Sequence, residues 1–269
     1  MTWLSLPRDP RWYQISVLAA LIGYGLIYLQ FEIYWITAVL ILLAAQISQY
    51  ACTRIWNLPI FDPRSALISS LSLCLLLRTE DWRLAILAAM LAVVSKFVIH
   101  LDRKHVFNPT NFALAACLLL SDSVWVSSGQ WGSTPLLAFL MACLGGVVLY
   151  RTERSDITFA FLAAYSLLLL LRAWWLGDPW SIPLHYLQNG ALLIFAFFMI
   201  SDPRTIPDSR LGRIGFAIWV AILAVYLQFQ LHQPNALIWA LVCSSPLVPL
   251  IDKISSAHRY HWPIERNVL

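Results

Sequence analysis

Two amides and a proline, Asn108, Pro109 and Asn111, stand together immediately before an apolar run of about a dozen residues. Asparagine is favoured at a helix cap, and proline is favoured in the first helical turn. The same arrangement would also direct backbone N–H groups, with their partial positive charge, toward an anionic or carbonyl-rich ligand. The pattern therefore predicts either an ordinary cap or one edge of a binding site, and the residues leave both readings open.

Five other polar residues occupy comparable positions in apolar surroundings. Ser65 and Asn189 begin short apolar runs. Lys96 lies inside an apolar run, where it must reach the membrane interface or face a polar pocket. Asp202 and Arg204 flank a proline, which favours either a capped turn with cytoplasmic positive charge or a ligand contact. No catalytic triad, P-loop or HExxH metal signature accompanies these residues.

The composition indicates a membrane protein that crosses the bilayer many times. Of the 269 residues, 60% are hydrophobic and 12% are charged, against about 45–50% and about 25% in soluble domains. Long apolar runs must form helices in hydrocarbon, because the backbone has to satisfy its own hydrogen bonds there. Ten helices are predicted, at residues 13–29, 33–50, 65–77, 84–99, 109–120, 135–150, 157–176, 188–200, 214–231 and 235–251.

The distribution of basic residues predicts the orientation of these helices. With both termini in the cytoplasm, 14 of the 18 Lys and Arg residues fall on the cytoplasmic side and three on the opposite side. We therefore expect a multi-pass membrane protein in contact with lipid, whose net charge of +4 reflects topology rather than nucleic-acid binding. The first residues lack the features of a signal peptide, so the chain is expected to keep its N-terminus.

A weak internal repeat is visible at an offset of about 125 residues. The segment at Asn108–Asn111 aligns with Gln233–Ala236, and an Ile/Leu-Pro pair ahead of Ser65 aligns with one ahead of Asn189. Each unit contains five predicted helices, so the second is inverted relative to the first. The predicted fold is all-α, with two inverted repeats at residues 13–120 and 135–251 and a cytoplasmic tail at 252–269.

Four segments together resemble a known family over nearly the whole chain. They are HVFNPTNFALA around Asn108, DPRSALISSLSL at Asp62–Leu73, FAFFMISDPRTIPDSRLGRIGF at Phe195–Phe216 and PLVPLIDK at Pro246–Lys253. They resemble the RnfD component of the Rnf electron-transport complex and the NqrB component of the sodium-pumping NADH:quinone reductase. The short chain is most similar to the stand-alone UnbU-type members.

The resemblance implies a ten-helix subunit that holds flavin, as FMN or riboflavin, and passes electrons across or along the membrane. It also implies other redox or membrane subunits as partners, so the chain would be a redox subunit rather than a stand-alone catalyst. The residues expected to contact the cofactor are Ser65, Lys96, Asn108, Pro109, Asn111, Asn189, Asp202 and Arg204.

This chain departs from the family at the motif to which flavin is attached. Family members attach FMN to the threonine of a Ser-Gly-Ala-Thr motif between the fifth and sixth helices. In this chain the connection ends in a loosely similar Gly-Ser-Thr at Thr134. We therefore expect non-covalent flavin, with attachment at Thr134 as the alternative.

Two functions without redox chemistry are also compatible with the sequence. A solute channel or transporter would use the same cavity between inverted repeats. A scaffold subunit that has lost its cofactor would keep the fold alone. Bound flavin would separate the electron-transfer hypothesis from both.

Overall fold

Helices account for almost all of the regular structure in the described residues. The computed structural model describes residues 9–31, 34–102, 104–126, 142–146, 148–150, 154–260 and 262. Its helices are α1 (Pro10–Ile27), α2 (Trp35–Ile55), α3 (Arg64–Leu76), α4 (Trp82–Val98), α5 (Pro109–Leu120), α6 (Ser155–Leu176), α7 (Ser181–Leu187), α8 (Gly190–Ile194), α9 (Arg210–Phe229), α10 (Ala236–Ser244) and α11 (Val248–Ile254). Residues 142–146 and 148–150 are also helical, and the rest of the predicted sixth helix lies outside the described residues.

Four helical runs in the described residues are long and apolar enough to cross a membrane. They are α2, α6, α9 and the run Ala236–Ile254, and the bent pair α7 and α8 makes a fifth if it is counted as one span. Helices α3 and α5 have only 13 and 12 residues, a length of about 20 Å against a hydrocarbon core of about 30 Å. The chain is an all-α multi-pass membrane protein, and the count of ten spans stays a prediction.

Side-chain caps fix where three of the longer helices begin. In each case a side-chain oxygen accepts a hydrogen bond from a backbone N–H of the first turn, which would otherwise lack a partner. The caps are Asp9 before α1, Asp81 before α4 and Ser209 before α9. Local sequence therefore sets these helix starts within a few residues of the predicted positions.

Two pairs of short strands, which the helical prediction did not include, connect or follow the helices of the first half. Strand β1 (Leu77–Thr79) continues from α3 and pairs antiparallel with β4 (Val124–Val126), which follows α5. Strands β2 (His100–Leu101) and β3 (Lys104–His105) form a second antiparallel pair between α4 and α5. Because α3 and α5 stop short, the β1–β4 pairing satisfies the backbone groups that follow them.

Two of the predicted helices are interrupted. The predicted helix 188–200 is preceded by α7, and α7 meets α8 at a bend of 47°. Helix α8 then continues as a π-helical turn, Phe195–Met199. The predicted helix 235–251 breaks into α10, a 3₁₀ turn at Ser245–Leu247 and α11, because Pro246 has no N–H to continue the α-helical ladder.

The helices pack in corresponding pairs in the two parts of the chain. Helix α2 packs on α4, and α6 packs on α9. Helix α4 also packs on α5, α9 packs on α10, and α5 contacts α10. Fully buried alanines let the helices approach closely, as is common in membranes. They are Ala85, Ala88, Ala89 and Ala92 in α4 and Ala217, Ala221 and Ala224 in α9.

Candidate functional site

A small polar cavity, which we call the basic cavity, lies at the starts of α3 and α5 and beside the segment that follows the π-helical turn. Its volume is about 50 Å³. Six of the nine predicted site residues line it: Ser65, Lys96, Asn108, Pro109, Asp202 and Arg204. Residues that the sequence did not single out also line it, among them Arg11, His105 and Trp262. The fold thus brings together residues from distant parts of the chain.

Asn108 both caps α5 and joins it to the second half of the chain. Its Oδ1 accepts a hydrogen bond from the Asn111 N–H at 3.0 Å. Its Nδ2 donates to the Met199 carbonyl and to Asp202 Oδ2, each at 3.3 Å. Asn108 is buried, with 6% exposure. The predicted cap is confirmed, and the same side chain also forms hydrogen bonds to the second half of the chain.

Lys96 points into the cavity rather than to the membrane interface. Its Nζ donates to Ser65 Oγ at 3.1 Å and to Gln49 Oε1 at 3.3 Å. The side chain is buried although α4 is apolar. The sequence allowed Lys96 to reach the membrane interface or to face a polar pocket, and the structure has it in the pocket.

Asp202 sits in a tight turn at the wall of the basic cavity. Its Oδ1 accepts the Arg204 N–H at 3.1 Å, and its backbone carbonyl accepts the Thr205 N–H. Burial raises the pKa of the Asp202 carboxyl, although the Arg204 N–H, nearby positive charge and Asn108 all favour its ionised form. The turn holds the carboxyl group in place beside Asn108.

His105 is a lining residue that the sequence did not single out. Its Nδ1 is enclosed and has no hydrogen-bond partner among the described residues. Burial, together with the positive charges of Arg204 and Lys96, lowers the pKa of His105 to about 3. The ring is therefore neutral at physiological pH. The sequence feature that could have pointed to His105 as a lining residue is its position three residues before the Asn108-Pro109 pair.

A cluster of four charged residues adjoins the basic cavity through Arg11, which lines it. Arg11 and Arg64 each contact both Asp9 and Asp62, with N···O distances of 2.6 or 2.7 Å. Burial opposes ionisation of Asp62, but the Arg64 hydrogen bond and the Arg11 charge outweigh it and hold the pKa of Asp62 below its ordinary value. The Arg11 guanidinium also lies 4.7 Å from the ring centre of Trp262. The cluster thereby joins the N-terminal segment, α3 and the C-terminal segment.

The remaining predicted residues lie elsewhere. Asn111 donates from Nδ2 to the Ile238 carbonyl at 3.1 Å, which links α5 to α10. Asn189 accepts the Ala191 N–H at 2.8 Å and so caps α8. Thr134 lies outside the described residues. The basic cavity therefore contains most of the predicted set, but neither Asn111 nor Asn189 lines it.

Asn189 instead lines a larger cavity of about 260 Å³, which we call the tyrosine cavity. Its other lining residues include Tyr165, Tyr186 and Gln228 and the segment Gln233–Ile238 that leads into α10. Tyr165 donates from its hydroxyl to Gln228 Oε1 at 2.7 Å. No charged side chain lines this cavity among the described residues.

The two cavities meet at the π-helical turn. Phe198 lines the basic cavity, whereas Phe195 and Met199 line the tyrosine cavity. The Asn108 amide binds the carbonyl of Met199 from the side of the basic cavity. Turns of this kind occur often at functional sites, and here one turn of backbone and its side chains separate two differently lined spaces.

The sequence matches one protein family over its C-terminal half. The family, described as "NQR2, RnfD, RnfE family", matches residues 119–261. This region contains the π-helical turn, the Asp202 turn and α10, and ends at the residue before Trp262.

Similar proteins in other bacteria are named as the D subunit of an ion-translocating oxidoreductase complex. The protein from Stutzerimonas stutzeri is 38% identical over 77 residues, which cover 29% of this chain and 22% of the relative. That from Alcanivorax borkumensis is 33% identical over 130 residues, covering 46% and 36%. That from Ectopseudomonas mendocina is 30% identical over 139 residues, covering 49% and 40%. The chain thus spans between a fifth and two fifths of the length of these relatives.

Proposed function

This chain belongs to the NQR2, RnfD, RnfE family, and from that membership we propose that it is a membrane electron-transfer subunit that binds flavin without a covalent bond. The similar proteins are named as subunits of an ion-translocating oxidoreductase complex. The observation that carries the proposal for this chain is the basic cavity, where Asn108 joins two half-chains next to Lys96 and Asp202.

The donor set of the basic cavity suits the polar edge of a flavin. The ring system presents carbonyl and imide groups, and its side chain presents hydroxyls and, in FMN, a phosphate. Lys96 and Arg204 offer N–H donors, Asp202 offers an acceptor, and Ser65 offers both. His105 adds an enclosed nitrogen without a partner among the described residues. When bound, the flavin supplies the uptake and release of electrons, while these residues orient it.

The size of the basic cavity sets a condition on this assignment. A volume of about 50 Å³ accommodates one or two water molecules, so a flavin ring enters only when a wall moves. Trp262 forms part of that wall and packs on Arg11 and, edge to face, on Tyr260. We assign the displacement to Trp262, because most of the other lining residues belong to packed helices.

We further propose the inverted-repeat topology. The pairing of α2 with α4 and of α6 with α9, and the packing of α5 on α10, support two related five-helix units. The positive-inside distribution supports cytoplasmic termini in a bacterial inner membrane, with the basic cavity on the cytoplasmic side. Other redox or membrane subunits are the proposed partners, as the names of the relatives suggest.

A visible absorption spectrum tests the cofactor directly. We expect protein purified in detergent, with riboflavin and FMN present during expression, to show flavin absorbance at one equivalent or less. After denaturation and gel filtration the absorbance should separate from the polypeptide. Absorbance that stays with the polypeptide would instead indicate attachment, with Thr134 the residue to substitute. Absence of flavin under all of these conditions would overturn the proposal.

A solute channel or transporter is the second candidate, because one specific observation favours it. The basic and tyrosine cavities meet at a single π-helical turn, which is the arrangement a gated passage needs. Osmotic swelling of proteoliposomes in a panel of small neutral solutes measures this activity. Swelling faster than in empty liposomes, without bound flavin, would favour the transporter.

A further inference from the structure

Lys96 is a buried ammonium group whose contacts are all with neutral atoms. It has 6% exposure, and it donates to Ser65 Oγ and Gln49 Oε1. Among the described residues, no carboxylate oxygen lies within 4.0 Å of its Nζ. A buried charge is costly unless it is paired, and ionisable groups inside membrane helices mark functional sites.

The carboxylates near the cavity are occupied by other groups. Asp62 is held by Arg11 and Arg64. Asp202 accepts hydrogen bonds from the Arg204 N–H and the Asn108 amide, and Lys96 acts on it only as a nearby charge. The cavity therefore presents a positive charge whose direct bonding partners carry no negative charge.

We propose that Lys96 supplies the positive charge that stabilises the reduced, negatively charged form of the flavin; this inference rests on the proposed function. Oxidised flavin takes up two electrons and one proton, which binds at N5, and the resulting hydroquinone anion carries its negative charge over N1 and the C2 carbonyl. An ammonium group that faces this region lowers the free energy of the anion more than that of the neutral oxidised ring. Lys96 is thus a positioning and tuning residue.

Lys96→Met tests this role, with the reduction potential of bound flavin as the main measurement. Dithionite supplies the electrons in a titration of detergent-purified protein loaded with riboflavin. We expect the variant to lose tenfold or more of its affinity for reduced flavin relative to oxidised flavin. For a two-electron couple this corresponds to a fall of about 30 mV. Lys253→Met, at the exposed end of α11, is the control and should leave the potential unchanged.

The thermal midpoint of the flavin-free protein separates this role from a structural one. A buried positive charge without a negatively charged partner destabilises the folded protein, because the charge has been removed from water. Flavin-free Lys96→Met should therefore melt at the same temperature as the unmodified protein or above it. A lower midpoint together with an unchanged potential would overturn the inference. Lys96→Gln keeps a side chain able to bond Ser65 but no charge, and it carries the same test if Lys96→Met does not fold.

The outcomes also separate this inference from the proposed function. Flavin binding with the same potential in all Lys96 variants overturns the role of Lys96 and leaves the electron-transfer proposal standing. Failure of the unmodified protein to bind riboflavin or FMN overturns both.

Discussion

The basic cavity and the tyrosine cavity lie on either side of one π-helical turn. They differ in the charge of their lining residues, in volume and in the hydrogen bonds made by their asparagines. The basic cavity is about 50 Å³ and is lined by Lys96, Asp202 and Arg204. The tyrosine cavity is about 260 Å³, and its lining among the described residues is neutral. Charged side chains line the first cavity, whereas only neutral ones line the second among the described residues, so the first is better suited to stabilise a change of charge in a ligand.

The asparagines at the two cavities show how this difference arises. Asn108 caps α5 and also binds Met199 and Asp202 across the two halves of the chain. Asn235, the residue immediately before α10, adopts a left-handed conformation with φ of 59° and makes no side-chain cap. A side-chain amide therefore joins the start of α5 to the second half of the chain, whereas Asn235 provides no side-chain cap at the start of α10.

The largest expected effect comes from removing that link with Asn108→Leu. The variant loses the α5 cap and leaves the Met199 carbonyl without one donor and Asp202 without its amide. We expect a loss of about 2–4 kcal/mol of stability and a clear reduction in flavin occupancy. Thermal unfolding in detergent measures the first quantity, and flavin absorbance per polypeptide measures the second.

Asn189→Leu is the matched control at the tyrosine cavity. It removes one cap bond, to the Ala191 N–H, and should cost about 1 kcal/mol without changing flavin occupancy. Equal losses in the two variants would mean that Asn108 is a simple cap, and the contrast between the cavities would lose its structural basis.

Sequence reasoning located the features that depend on local chemistry. The cap at Asn108, the start of α5 at Pro109 and the short length of α3 follow from residue preferences within one helical turn. The interruption before α8 and the π-helical turn did not follow, because they depend on how the helix packs against its neighbours. The repeat alignment pointed to Asn108 and Gln233, which line the basic and the tyrosine cavity, but it did not predict that the two cavities differ in charge.

The charged cluster and the burial of His105 could not be predicted from the sequence, because both depend on contacts that form only on folding. Asp9 and Asp62 are 53 residues apart, and their contact with Arg11 and Arg64 exists only after folding. Single basic residues near helix ends are also explained by the positive-inside rule, so their sequence gives no sign of pairing. A histidine near a helix start has the same ambiguity until burial is known.

A smaller effect is expected from pH, and it should be specific to the basic cavity. The pKa of His105 in the folded protein is about 3, below the ordinary value of about 6.5. Between these two values His105 is protonated in the unfolded state and neutral in the folded state. The protein is therefore progressively destabilised as the pH falls from about 6.5 toward 3. We expect a loss of roughly 1–2 kcal/mol between pH 7.5 and pH 5.

His105→Gln removes the titrating group, so its thermal midpoint should change less over the same pH range. The exposed His258 provides the control, and His258→Gln should behave as the unmodified protein does. If both variants keep the full pH dependence, other groups cause the loss and His105 is not enclosed in the folded state.

The smallest expected effect concerns the tyrosine cavity and tests whether the proposed flavin site extends into it. Tyr165→Phe removes the hydroxyl that donates to Gln228, at a cost of about 1 kcal/mol or less, because water can enter the cavity and replace it. Tyr226→Phe, on the exposed face of α9, is the control. Flavin occupancy should be unchanged in both variants, since the charged contacts that we propose for the flavin lie in the basic cavity. The larger volume of the tyrosine cavity makes the opposite result informative: if Tyr165→Phe lowers occupancy as much as Asn108→Leu does, the ring extends through the π-helical turn, and the two cavities form one site.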